Sequence, residues 1–170
     1  MAALPRKLKF MNVFNDGDSY LGQLKTATLP KLTRTMKEWK GGGMDGAVKI
    51  DVGQELLEFE ATYGGLMIGI LRQYGIMNVA GVGLRFVGSY QRPDDGQVDA
   101  VEVVIRGQHE EIDMGDAEQG EDTEFKVKTP CAYYKLSING RTEIEIDLLN
   151  MIMVVDGVDR LAAHRAALGV

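Results

Sequence analysis

Between Phe125 and Asp147 the chain reads F-K-V-K-T-P-C-A-Y-Y-K-L-S-I, then Asn139-Gly140, then R-T-E-I-E-I-D. Asn-Gly is the favoured pair for a two-residue hairpin turn, because both central positions need a positive φ that few other residues accept. Thr142 to Asp147 alternates strictly, so Glu143, Glu145 and Asp147 share one strand face and turn toward water or a partner. A second hairpin is predicted upstream. There L-R-F-V-G-S-Y-Q and Q-V-D-A-V-E-V-V-I-R flank R-P-D-D-G, whose Pro and Gly supply the angles of a turn. Leu57, Phe59 and Ala61 alternate with Glu58, Glu60 and Thr62, which predicts a half-buried strand. Lys31, Arg34, Lys37 and Lys40 recur every third residue, but Pro30, Thr33 and Thr35 favour an extended segment there too.

These runs predict a mainly β chain, a single domain over residues 1–170 with a sandwich or barrel-like core. At 170 residues and 45% hydrophobic, one sizeable core can form, and a second full domain has too little chain to build one. The 21 glycines against 4 prolines punctuate many short elements. Gly64-Gly65 opens L-M-I-G-I-L-R-Q-Y, in which Leu66, Ile70 and Tyr74, with Met67 and Leu71, fit one helical face closed by Gly75. A second short helix is expected on the C-terminal surface, from Asp159 through Leu161 and Leu168 to Gly169. Gly41, Gly42, Gly43, Met44, Asp45 and Gly46 form a segment too glycine-rich for regular structure, and a long mobile loop is expected.

Charge is unevenly spread. Residues 106–124 hold eight carboxylates (Glu110, Glu111, Asp113, Asp116, Glu118, Glu121, Asp122 and Glu124) against Arg106 alone, while the whole chain is at −6. The first forty residues are instead net basic, through Arg6, Lys7, Lys9, Lys25, Lys31, Arg34, Lys37 and Lys40. That segment is the one candidate for phosphate contacts, although lysines that guard a strand edge explain it as well. No uninterrupted apolar run approaches the about 18 residues of a membrane-spanning helix. Lys7, Lys9, Asn12, Asn15 and Asp16 interrupt any signal-peptide core, which predicts a soluble chain not exported by that route and with no membrane insertion. The lone Cys131 cannot form an internal disulfide and reads as an ordinary strand residue in a reducing compartment.

Chemistry is hard to find. There are one Cys, three Ser and two His, and neither Gly-x-Ser-x-Gly nor His-Glu-x-x-His occurs. His109-Glu110-Glu111 with Asp113 offers metal-type donors, but neighbours in an extended chain point to opposite faces. Residues 113–121 lack calcium-loop spacing, and the Gly81-Val-Gly83 and Gly41-Gly-Gly43 runs lack the residues that complete a phosphate site. No catalytic residue, cofactor or metal ligand is assigned. The 106–124 block is read as strand, acidic Gly-bounded turn, strand.

Seven pieces carry a resemblance over the whole chain: P-R-K-L-K-F-M-N-V-F; T-L-P-K-L-T-R-T with G-G-G-M-D-G; G-S-Y-Q-R; R-G-Q-H-E-E-I-D-M-G with Q-G-E-D-T-E; Y-Y-K-L; E-I-D-L-L-N-M-I; and G-V-D-R-L-A-A-H-R-A-A-L-G. In this order they resemble the major tail tube protein of contractile-tailed bacteriophages. R-type pyocin tube proteins are similar, and the type VI secretion tube protein is more distant. The resemblance implies a barrel-like or sandwich tail tube subunit with a short helix, which forms hexameric rings stacked into a hollow tube inside a contractile sheath. DNA passes through a phage tube, whereas nothing passes through a pyocin tube. It further implies the sheath protein, baseplate and tail terminator proteins as partners, a place in the virion tail, and assembly in the host bacterial cytoplasm.

On this reading, exposed strand edges pair between subunits and close a ring, and the Gly41 to Gly46 loop orders against the next ring. Glu58 and Glu60 are expected to line the lumen, where carboxylates keep phosphates from sticking, and Glu143, Glu145 and Asp147 to face the sheath. Alternation says which residues share a face but not which face it is. A secreted ring of the type VI kind and a small acidic binding module stay open as alternatives.

Overall fold

The structure, a computed structural model, describes residues 2–170. In chain order its strands are β1 (Lys7–Asn15), β2 (Asp18–Ser19), β3 (Leu24–Thr28), β4 (Arg34–Trp39), β5 (Val48–Gln54), β6 (Leu57–Tyr63), β7 (Val82–Gln91), β8 (Val98–Gly107), β9 (Glu111–Asp113), β10 (Phe125–Ile138), β11 (Arg141–Asp147), β12 (Ile152–Val155) and β13 (Val158–Asp159). Two short helices, α1 (Ile68–Leu71) and α2 (Ala162–Leu168), complete it. Among the described residues no helix is long and apolar enough to cross a membrane.

The 14-residue β10 organises the core. Its first half, Phe125 to Cys131, pairs with β6, and Lys126 to Lys128 also pair with β9. Its second half, Cys131 to Ile138, pairs with β8 and, from Tyr133, with β11. One layer therefore runs β3-β6-β10-β9, and the other runs β2-β1-β7-β8-β10-β11-β12-β13. The inward faces are those that alternation dictates. Leu57, Phe59, Ala61, Tyr63, Phe125 and Val127 come from the first layer. Val13, Val82, Leu84, Phe86, Val103, Ile105, Tyr134 and Ile146 come from the second and share the same cluster. Each large apolar side chain buried there contributes about 1.5–3 kcal/mol by leaving water. Cys131 lies buried in β10, as a strand residue.

Turn chemistry sets the register. Asn139 and Gly140 sit at φ 51° and 82°, so the β10–β11 hairpin has the turn that Asn-Gly favours. Asn139 also ties that turn to β8: its backbone N–H donates to Ala100 O at 2.8 Å, and its side-chain oxygen accepts from Ala100 N–H at 2.9 Å. Its amide nitrogen donates to buried Asp99 at 2.9 Å. That bond first, and then the Arg6 guanidinium, hold the Asp99 carboxyl below the usual carboxylate range. The β7–β8 hairpin forms where Arg92 to Gly96 predicts it.

The segment after Gly64-Gly65 departs from its helical expectation. Only Ile68 to Leu71 is α-helical, Met67 and Ile70 are buried, and Leu66 and Tyr74 of the proposed stripe are exposed. The reason is tertiary. Gln73 is pulled toward the end of β1, where its side-chain amide exchanges two bonds with Asn15, at 2.7 and 2.8 Å, and Gly75 at φ 79° turns the chain away. The C-terminal helix α2 forms as expected, closed by Gly169 at φ 75°.

Candidate functional site

Among the described residues no cleft gathers catalytic groups, and the features that stand out are surfaces. Glu58 and Glu60 lie on the outward face of β6, because Leu57, Phe59 and Ala61 take the inward one. Lys128 sits across from Glu60 in the ladder and places Nζ 3.4 Å from Glu58 Oε1. Glu58 is half-buried beside this lysine, and Glu60 is exposed. The two carboxylates do share a face, but it is interleaved with Lys126 and Lys128. An exposed pair of this kind contributes at most about 1 kcal/mol, so it shapes potential more than stability.

Glu143, Glu145 and Asp147 lie on the outward face of β11 in the other layer, since Ile144 and Ile146 pack against the core. All three are half-buried and locally engaged. Tyr133 Oη donates to Glu145 at 2.9 Å, and burial followed by that carboxylate pushes the phenol up to about 12. The Arg106 guanidinium lies 5.4 Å from the centre of the same ring. Asp147 accepts from Leu149 and Asn150 N–H, both at 3.1 Å, and so caps the turn into β12. Glu143 is 3.8 Å from Arg141. The Glu58/Glu60 set and this set therefore occupy outward faces of different layers.

Gly41 to Gly46 form the tip of the β4–β5 hairpin. Met44 N–H donates to Gly41 O at 3.3 Å, and the Met44 sulfur accepts from Gly41 N–H at 3.2 Å. Among the described residues β4 and β5 pair only with each other. Their residues are exposed on both faces except near the base, where Arg34 bonds Asp51 at 2.8 Å and reaches the Met153 sulfur of β12 at 3.6 Å. Trp39, Val48, Ile50 and Val52 are between 47% and 59% exposed, so this arm carries apolar side chains with no core beneath them.

The 106–124 block resolves into the end of β8, the edge strand β9 and an acidic loop. His109 is not grouped with Glu110, Glu111 and Asp113 as a ligand. It is buried, with Nδ1 2.9 Å from Thr129 Oγ1 and Nε2 3.0 Å from Gln73 Oε1, and burial lowers its pKa to about 4. Asp113 instead accepts from Gly115 N–H at 2.8 Å. Two of these surface features escaped the sequence reading: the projection of the whole hairpin, and an open stretch of β1 edge that carries Phe10 at 77% exposure. The run Phe10-Met-Asn-Val13 shows a strand, but nothing local tells which edge stays open.

The comparisons agree with this architecture. The sequence profile of the family described as phage tail tube protein FII matches residues 5–169. The tail tube protein of Escherichia phage P2 is 48% identical over 170 residues, covering 98% of this chain and 99% of that protein. The major tail tube protein of Serratia phage KSP20 is 38% identical over 157 residues, covering 91% and 90%. Among solved structures, the sheath/tube terminator of an extracellular contractile injection system superposes with a TM-score of 0.61 at 6% identity, covering 81% of this chain and 99% of that one. The sheath–tube complex of such a system gives 0.56 at 6% identity, covering 75% and 87%. The latter two likenesses show the fold, and the profile with the two phage relatives shows the family: this chain belongs to the phage tail tube proteins, structural components of the virion tail.

Proposed function

We propose that the chain is the self-assembling subunit of the inner tube of a contractile tail, acting as one tail tube domain. Six copies form a ring, rings stack into a hollow tube inside the sheath, and DNA passes through the lumen. The observation that carries this reading is the β4–β5 arm. Trp39, Val48, Ile50 and Val52 stand in water on a hairpin that, among the described residues, pairs with no other strand. Apolar surface presented this way marks a contact site, and a second copy supplies the cover.

The arm reaches the next ring through its Gly41 to Gly46 tip. Glu58 and Glu60 line the lumen, and Glu143, Glu145 and Asp147 face the sheath, since a face that repels phosphate and a face that adheres to a sleeve belong on opposite sides of a wall. Baseplate and tail terminator proteins meet the two ends of the stack, and assembly takes place in the host cytoplasm. No activity is required for any of this. Negative-stain electron microscopy and sedimentation of the purified chain test it. Rings or tubes with a central channel are expected, and a monodisperse monomer at all concentrations overturns the reading.

A further inference from the structure

The basic N-terminal strand and the acidic 106–124 block do not neutralise each other within one copy. Lys7 and Lys9 enter no ion pair among the described residues, and neither does Glu111, while Glu110 comes only within 3.9 Å of Lys128. Both segments also sit on open strand edges. β1 pairs with β7 on one side, and on the other β2 pairs with Phe14 and Asn15 and Tyr20 N–H donates to Val13 O at 2.9 Å, which leaves Lys7 to Asn12 without a strand partner there. Among the described residues β9 pairs with β10 and nothing else. The bulge between Leu8 and Phe10 sets the side chains on β1. Phe10, opposite Ser89, and Lys7, opposite Gln91, share the outward face, with Lys9 in the bulge between them.

Beside β9 lies a groove of about 330 Å³, lined by Leu71, Tyr74, Ile112 and Met114 with Glu110 and Glu111. Its floor is apolar and its rim carries two carboxylates. That is the complement of one exposed aromatic ring flanked by two lysines. The competing edge, β3, is less suited, because its only cation, Lys25, is already held 2.7 Å from Glu124.

We propose that this groove receives the β1 edge of a second copy, with Phe10 in the apolar floor, Lys7 and Lys9 on Glu110 and Glu111, and the backbones of β1 and β9 adding to each other as strands. The inference rests on the self-assembly reading above and assigns its contact. Such a contact is head-to-tail, using different surfaces on the two copies, and it closes into a ring when the rotation permits. Strand addition supplies main-chain bonds and the side-chain pocket supplies selectivity.

Two measurements test it. In the first, Lys9→Cys and Glu111→Cys are combined in one chain and oxidised. The native Cys131 is buried and does not compete. A ladder of disulfide-linked multimers is expected, absent from either single variant. In the second, Lys7→Glu with Lys9→Glu, or Glu110→Lys with Glu111→Lys, raises the concentration needed for assembly at least about tenfold, and the four changes together bring it back toward wild type. The reversed residues are exposed or nearly so, and unchanged melting of each variant confirms folding. If tubes form normally with no ladder and no effect of charge reversal, this contact is overturned while self-assembly stands. If the wild-type chain forms no tubes and the double-cysteine chain gives no ladder, the self-assembly reading falls with it.

Discussion

Gly107, at the end of β8, lies so close to Pro130 that a Cβ at position 107 would stand 2.1 Å from the Pro130 carbonyl oxygen. Cys131 is the ladder partner of Gly107, and it is here that β10 leaves β6 for β8. The same carbonyl accepts from Gln108 N–H at 3.3 Å, so it has little freedom to retreat. The crossing of the layers, and with it the placement of the charged faces on different layers, depends on the missing side chain.

Gly107→Ala is accordingly expected to lower the unfolding free energy by about 3 kcal/mol, the upper range for forced overpacking. Gly140→Ala is the control. That residue has φ 82° with open space around it, so its cost is the left-handed strain alone, about 1 kcal/mol. Urea denaturation of the two variants separates them.

His109 predicts a pH dependence with a definite sign. Burial lowers its pKa from 6.5 to about 4, so the folded state binds fewer protons than the unfolded chain between those values. Stability is then full above pH 6.5 and falls as the medium is acidified toward 4. Between pH 6.5 and 5, where most carboxylates are still ionised, this one group removes about 1.5 kcal/mol. The loss should disappear in His109→Gln. Because Gln73 Oε1 only accepts, the neutral ring carries its proton on Nε2 and takes the Thr129 hydroxyl proton at Nδ1, an assignment that nitrogen NMR reads directly.

Local signals and long-range ones divide cleanly along the chain. The Asn139-Gly140 and Arg92 to Gly96 turns, the alternation from Leu57 to Thr62 and the Gly169 helix stop are written within a few residues, and all are present in the fold. The last sheet strand pair, β12–β13, had a similar local mark that went unread: Asp156-Gly157, at φ 51° and 76°, turns the chain after an apolar run. β9 has no such mark. It exists because β10 offers an edge there, with Ile112 opposite Val127 and packed against the core. Val48 to Val52 alternates like a half-buried strand yet has no core beneath either face, and His109 finds its partners 20 and 36 residues away. For the charged faces, alternation grouped Glu58 with Glu60 and Glu143 with Glu145, and only the passage of β10 between layers separated the two groups.

The lumen assignment makes a graded prediction. Lysine at position 60 reverses an exposed charge, whereas lysine at 58 abuts Lys128, whose pKa Glu58 now raises first of all. Glu60→Lys should therefore slow DNA delivery with tube assembly and melting unchanged. Glu58→Lys should in addition lower the melting temperature slightly, because it sets two like charges in contact. Normal infectivity of particles carrying both changes would count against this face lining the channel.

The arm can be cut without touching the core. Deleting Gly41 to Gly43 shortens only the tip of a hairpin whose strands pair with each other, and Ile50→Asp changes a side chain that is 47% exposed. Substitutions at such sites alter stability by no more than about 0.5 kcal/mol, so both variants should stay soluble with an unaltered β-type circular dichroism spectrum. Tube growth should nonetheless stop in each, because a carboxylate at position 50 is desolvated on contact with the next copy and the shortened tip cannot reach it. Electron microscopy checks this against the wild type, and tubes of ordinary length from both variants would remove the arm from the stacking contact.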